Sequence, residues 1–165
     1  MLHLLRTDSA NHDFHRLVAQ LDQNLQQNDG EEHAFFAQFN KLDKIQHVVV
    51  AYQDGVAAGC GAIKAYTPTI AEVKRMFVEE RYRGQGIATR VLAELELWAH
   101  ESGYTSCILE TGIKQTEAIR LYQKSGYTII PNYGQYAGVE SSVCMQKDLG
   151  TEKNNLQQGQ QANAK

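Results

Sequence analysis

Nowhere does the 165-residue chain hold an apolar run approaching the roughly 18 residues that a membrane-spanning helix needs. It also lacks an excess of positive charge. Sixteen Lys and Arg against 19 Asp and Glu give a net charge of -3, which argues against bulk nucleic-acid binding while leaving room for a local basic pocket. Cysteine is scarce, odd in number and widely spaced. Cys60, Cys107 and Cys144 each sit in an apolar, strand-like context, as expected of buried thiols rather than a disulfide framework or metal site. Six histidines offer no metal-ligand spacing beyond the loose pair His12 and His15, which read as exposed helix residues. The first residues, Met1-Leu2-His3-Leu4-Leu5-Arg6, do not form a charged leader followed by a long apolar stretch. These absences together lead us to expect a soluble, cytoplasmic protein with no metal, nucleic-acid or membrane partner.

What is present fits a single α/β domain over residues 1–150, followed by a Gln- and Asn-rich tail over 151–165 too polar to order itself. Leu2 to Arg6 reads as a strand. Phe14, Leu17, Val18, Leu21 and Leu25 recur at helical spacing, with Asp8 or Ser9 as candidate cap. Glu31 to Phe39 suggests a second, shorter helix. His47-Val48-Val49-Val50-Ala51-Tyr52, the hairpin signal Asp54-Gly55, a return strand from Val56 to Tyr66 and a strand from Ile70 to Val78 predict an antiparallel meander. From Gly84 to about Ser102, the residues Ile87, Val91, Leu92, Leu95, Trp98 and Ala99 make one apolar helical face. Strands at Ser106–Leu109, Tyr127–Ile130 and Ser142–Gln146, with a helix over Thr116–Lys124, complete the chain and predict parallel pairing through crossovers. The expected whole is a twisted mixed sheet of six to seven strands flanked by about four helices.

Arg83-Gly84-Gln85-Gly86-Ile87-Ala88 follows a strand and opens the strongest helix. The first turn of a helix has backbone N–H groups without intrahelical partners, and the helix dipole adds positive potential there. Glycine, having no Cβ, lets a phosphate approach that backbone. Arg81 and Arg83 add charge. The segment can therefore cradle a diphosphate, or its glycines can simply shape a tight turn. It has neither the glycine spacing of a dinucleotide fingerprint nor the Gly-Lys-Ser/Thr ending of a P-loop.

The wider context resembles the GNAT superfamily of N-acetyltransferases. Val73-Lys74-Arg75-Met76-Phe77-Val78, then Arg81-Tyr82-Arg83-Gly84-Gln85-Gly86-Ile87-Ala88, resembles its central strand, loop and helix. Gln115, Ala118, Leu121, Tyr122, Gly126 and Tyr127 match its late helix and strand, with Gln115 where the family usually has Asn. Lys74–Val78, Leu109–Gly112 and Asn132–Tyr136 look like a bacterial small-molecule branch. The resemblance implies direct acetyl transfer from acetyl-coenzyme A to a primary amine. It implies that Met76, Phe77 and Val78 hold the acetyl and pantetheine groups beside a β-bulge. It further implies that the backbone from Arg83 to Ala88, with Arg81 and Thr89 nearby, meets the pyrophosphate, and that Gln115, Ala118 and Tyr122 flank the cofactor.

An attacking amine must first lose a proton, since a free alkylamine titrates near ~10.4. The resemblance makes Glu72, placed where some members of the family have a catalytic glutamate, the first candidate base, or else a solvent-facing edge residue; Glu110 is the second, or else a structural partner for Arg75 or Lys74. The resemblance implies that Tyr122 matches the family's general acid for the leaving thiolate; the alternative is a half-buried core tyrosine. Arg75 lies inside an apolar strand and so needs a partner. Either a substrate carboxylate or an internal pair with Glu110 or Glu72 would serve. Tyr133 and Tyr136, in a glycine-containing loop, are candidate walls of an acceptor pocket. Three functions stay open: an acetyltransferase for small amines or amino acids, a protein acetyltransferase, and a non-catalytic acyl-coenzyme A-binding module. Pairing of two chains is left open too.

Overall fold

The computed structural model describes residues 1–29 and 44–150. The helix expected at residues 31–39 and the tail at 151–165 lie outside the described residues. Along the chain run β1 (Leu2–Thr7), α1 (His12–Asp29), β2 (His47–Gln53), β3 (Val56–Ala65), β4 (Ile70–Val78), α2 (Ile87–Glu101), β5 (Ser106–Gly112), α3 (Thr116–Lys124), β6 (Thr128–Ile130) and β7 (Ser142–Asp148). The strands form one mixed sheet in the order β1-β2-β3-β4-β5-β7-β6. No described helix is long and apolar enough to cross a membrane.

Helices cover both faces of this sheet, and the sequence of β2 reflects that. Val48, Val49, Val50 and Ala51 are all fully buried. Successive side chains of a strand point to opposite faces, so an unbroken apolar run requires cover on both sides. Val48 and Val50 pack with Phe14, Leu17 and Val18 of α1. Val49 and Ala51 pack with Val91, Leu92 and Leu95 of α2 and with Tyr122 of α3. Each large side chain withdrawn from water this way contributes about 1.5–3 kcal/mol. α2 lies so close to β3 that a Cβ on Gly61 would meet Leu95 at 2.8 Å and Val91 at 3.0 Å. The cap of α1 is neither Asp8 nor Ser9. Asn11 Oδ1 accepts the Phe14 N–H at 2.9 Å, while Ser9 Oγ accepts the Ile45 N–H and thereby ties the helix start to the sheet. The hairpin signal holds: Asp54 and Gly55 both have positive φ, as a two-residue turn of the primed type requires.

The pairing after β4 differs from expectation. Among the described residues only β4 and β5 pair in parallel; β7 inserts between β5 and β6, antiparallel to both. The crossover through α3 does set β6 in the direction of β5, one strand away. Sequence order reveals the crossover but not which later strand fills the gap it leaves.

β4 contains a bulge. Cys60 pairs with Phe77 and Ala62 with Lys74, so one residue of β3, Gly61, opposes two of β4, Arg75 and Met76. Arg75 takes up the extra residue with φ 60°, a left-handed conformation that is costly for a side chain of its kind. Its carbonyl accepts the Cys60 thiol at 3.4 Å. The bulge reverses which residues face which helix. Ala71 and Val73 lie in the core beneath α2, whereas Phe77 lies in the core beneath α1.

The three cysteines are free and buried. Burial lifts the Cys60 and Cys107 thiols from 9.0 to about 12. Below about pH 9 both folded and unfolded chains hold these protons. Above it only the unfolded chain releases them, so stability falls as pH rises from about 9 towards 12, by up to about 1.4 kcal/mol per pH unit for each thiol. The urea midpoint should be independent of these groups at pH 8 and decline between pH 9 and 11. Cys60→Ala should flatten that decline.

Candidate active site

β4 and β5 pair only between Ile70–Glu72 and Ser106–Ile108. Beyond that point β5 stays paired with β7 as far as Gly112, while β4 continues alone on this side to Val78. The strands therefore part, and two adjoining chambers open where they do. Leu21, Leu25, Met76, Gln115, Ala118 and Tyr122 line both.

The larger chamber, about 390 Å³, runs from the end of β4 to the start of α2 and across to α3. Met76, Phe77 and Val78 form its β4 side, and Arg83, Gly84, Gly86, Ile87, Ala88 and Thr89 its far end. Gly86 is the N-cap of α2, with φ 79°, and Gly84 has φ 78°. No atom lies within 4 Å of where a Cβ would stand on either. The first turn of α2 contains no acidic residue. Exposed helix-start amides beside open space and free of negative charge are what a diphosphate needs, so these residues fit the group the turn suggested. Arg83 Nε donates to the Val78 carbonyl at 2.8 Å and fixes the turn to β4. Two expected residues are elsewhere. Arg81 pairs with Glu79 at 2.9 Å, outside this chamber, and Gln85 does not line it. Turn residues alternate in direction, and the motif alone does not say which of them face inward.

The smaller chamber, about 140 Å³, lies beyond the gap and is lined by Glu72, Lys74, Arg75, Glu110 and Tyr136. Both carboxylates are held. Tyr133 Oη donates to Glu72 Oε2 at 2.6 Å, and Lys74 Nζ stands 3.6 Å from Glu72 Oε1. Ser142 Oγ donates to Glu110 Oε2 at 2.7 Å. The Arg75 side chain is 2% exposed, and its Nη1 pairs with Asp22 of α1 at 3.3 Å. Asp22, 53 residues earlier, was not among the expected partners. Tyr133 and Tyr136 are not surface residues: Tyr136 is buried, Tyr133 half-buried, and their rings meet edge to face at 5.7 Å. Tyr133 also meets Tyr66 at 5.1 Å. Tyr133 does not line the chamber but reaches it through Glu72.

Tyr122 stands where the chambers meet. Burial, reinforced by the Glu110 charge, pushes its phenol well above the ordinary range, so it keeps its proton at neutral pH. Burial and the nearby Glu72 charge do the same for Tyr133. Sequence reasoning missed Leu21, Asp22 and Leu25. Leu21 and Leu25 belong to the apolar stripe of α1, which gave a signal for packing but none for a ligand. Among the described residues there is no cluster of three or more His, Cys, Asp and Glu suited to a metal ion.

A sheet parted beside a glycine turn, with a buried tyrosine at the opening, makes a two-chambered site. The chain belongs to the acetyltransferase (GNAT) family, whose model matches residues 9–127. It is 39% identical over 102 residues to IAA acetyltransferase of Azospirillum brasilense, a match covering 61% of this chain and 67% of that protein. The fold matches a Klebsiella pneumoniae protein named as an acyl-CoA N-acyltransferase, with a TM-score of 0.76 and 29% identity over 91% of this chain and 99% of that one. An N-acetyltransferase of Thermoplasma acidophilum, solved in complex with coenzyme A, shares the fold with a TM-score of 0.67 at 16% identity, covering 90% of this chain and 99% of that one.

Proposed function

We propose that the protein transfers an acetyl group from acetyl-coenzyme A directly to the primary amine of a small molecule. The observation that carries this reading is the junction: a chamber with a helix-start anion cradle meets a small chamber with two carboxylates at one buried tyrosine. Acetyl-coenzyme A supplies an acetyl group activated as a thioester. The amides at the start of α2, the open space at Gly84 and Gly86, and Arg83 hold its diphosphate. Met76, Phe77 and Val78 line its arm on one side, Gln115 and Ala118 on the other. Glu72 and Glu110 attract the acceptor ammonium and take its proton, directly or through water. The freed amine nitrogen bonds to the acetyl carbon as the carbon–sulfur bond breaks, and Tyr122 donates to the departing sulfur. A phenol is a weaker acid than a thiol of pKa near ~8.5, so Tyr122 acts by a hydrogen bond to the developing anion. After the attack the nitrogen sheds its second proton as the thiolate gains one, so that ammonium and thioester give amide and thiol with one proton released overall. The acceptor chamber, about 140 Å³, has room for a small amine.

Calorimetry with acetyl-coenzyme A, followed by thiol release with a panel of amines, tests this directly. One-to-one binding and amine-dependent release are expected. The buried cysteines are shielded from the thiol reagent. Absence of binding would refute the reading, and binding without release on any amine would leave a non-catalytic acyl-coenzyme A module.

A further inference from the structure

The acceptor chamber carries charges of both signs, and the bulge in β4 adds a second cation to it. In a regular strand Lys74 and Arg75 would face opposite sides of the sheet. The left-handed Arg75 breaks that alternation, and both cations line the same chamber as Glu72 and Glu110. From this we infer, on the basis of the amine-transfer reading above, that the acceptor is a zwitterion of amino-acid type. Its ammonium faces Glu72 and Glu110, and its carboxylate faces Arg75 and Lys74.

Three features support this. Arg75 is almost wholly buried, whereas the side chain of its partner Asp22 is 51% exposed. Asp22 can therefore turn into water and give up the guanidinium to an incoming carboxylate, a ligand its fork geometry suits. A zwitterion matches a chamber whose lining carries two cations and two carboxylates. A diamine would instead set its second ammonium against Lys74 and Arg75. Finally, a chamber of about 140 Å³ falls well below the roughly 300–1,000 Å³ typical of drug-sized ligand sites.

The test compares matched acceptors at fixed acetyl-coenzyme A by thiol release. The panel contains the common L-amino acids, β-alanine and 4-aminobutyrate. Each is assayed beside its methyl ester and beside the amine lacking the carboxyl group. At least one amino acid should exceed both of its partners by about 100-fold in kcat/KM, mostly through KM, as expected for a charge-assisted pair in a buried site. Arg75→Gln should collapse that ratio towards one. Because Arg75 is buried in a bulge, Lys74→Gln serves as a second variant and should reduce the ratio in a chain that keeps the bulge. Esters or plain amines acetylated as well as the amino acids would overturn the zwitterion while leaving amine transfer intact. No release with any amine, despite cofactor binding, would overturn both.

Discussion

Tyr122→Phe should lower kcat by about 10²–10⁴-fold while changing the dissociation constant for acetyl-coenzyme A by less than about threefold. The phenol oxygen is the polar atom that this residue brings to the junction of the two chambers, and its raised pKa keeps it a donor at neutral pH. The ring, which packs against Tyr127 at 5.8 Å, survives the substitution. The loss should therefore fall on turnover rather than on cofactor binding. Steady-state kinetics paired with calorimetry separates the two. An unchanged kcat would remove Tyr122 from the chemistry and leave it a core residue.

Gly86→Glu should weaken acetyl-coenzyme A by about 100-fold, the equivalent of about 2–3 kcal/mol. The substitution adds a negative charge at the helix start, where the first turn has none, and fills space that is open in the native chain. It also forces a side chain into a left-handed conformation, which carries a cost in stability. Gly103→Glu separates the two effects. Gly103 has φ 97° and no atom within 4 Å of a Cβ position, but lies just past the opposite end of α2. It should lose comparable stability and keep its affinity. Equal affinities for the two variants would count against the cradle.

Much of this architecture is legible in the residues. The bounds of β4 and α3 coincide with those read from the sequence, because Ile70–Val78 and Thr116–Lys124 are flanked by turn residues and carry clear patterns. The opening of α2 reads three residues too early: Gly84 and Gly86 are left-handed, so the helix begins at Ile87. Most of the motif residues line one chamber, with Arg81 and Gln85 as exceptions. Other features have no local signature. Whether Arg75 meets Glu72, Glu110 or Asp22 depends on where α1 crosses the sheet, a relation between residues 53 positions apart. Tyr133 reaches Glu72 across 61 positions.

The sequence by itself determined most of the elements and the glycine turn ahead of α2, because periodicity, glycine and helix-end chemistry act over a few neighbouring residues. Only the tertiary structure decided the active centre. One extra residue at Arg75 reverses the facing of β4, and β4 leaves β5 after Glu72. That divergence opens the chambers, brings Tyr122 to their junction and turns two consecutive cations towards one pocket. These are consequences of strand register and packing, which no short stretch of sequence encodes.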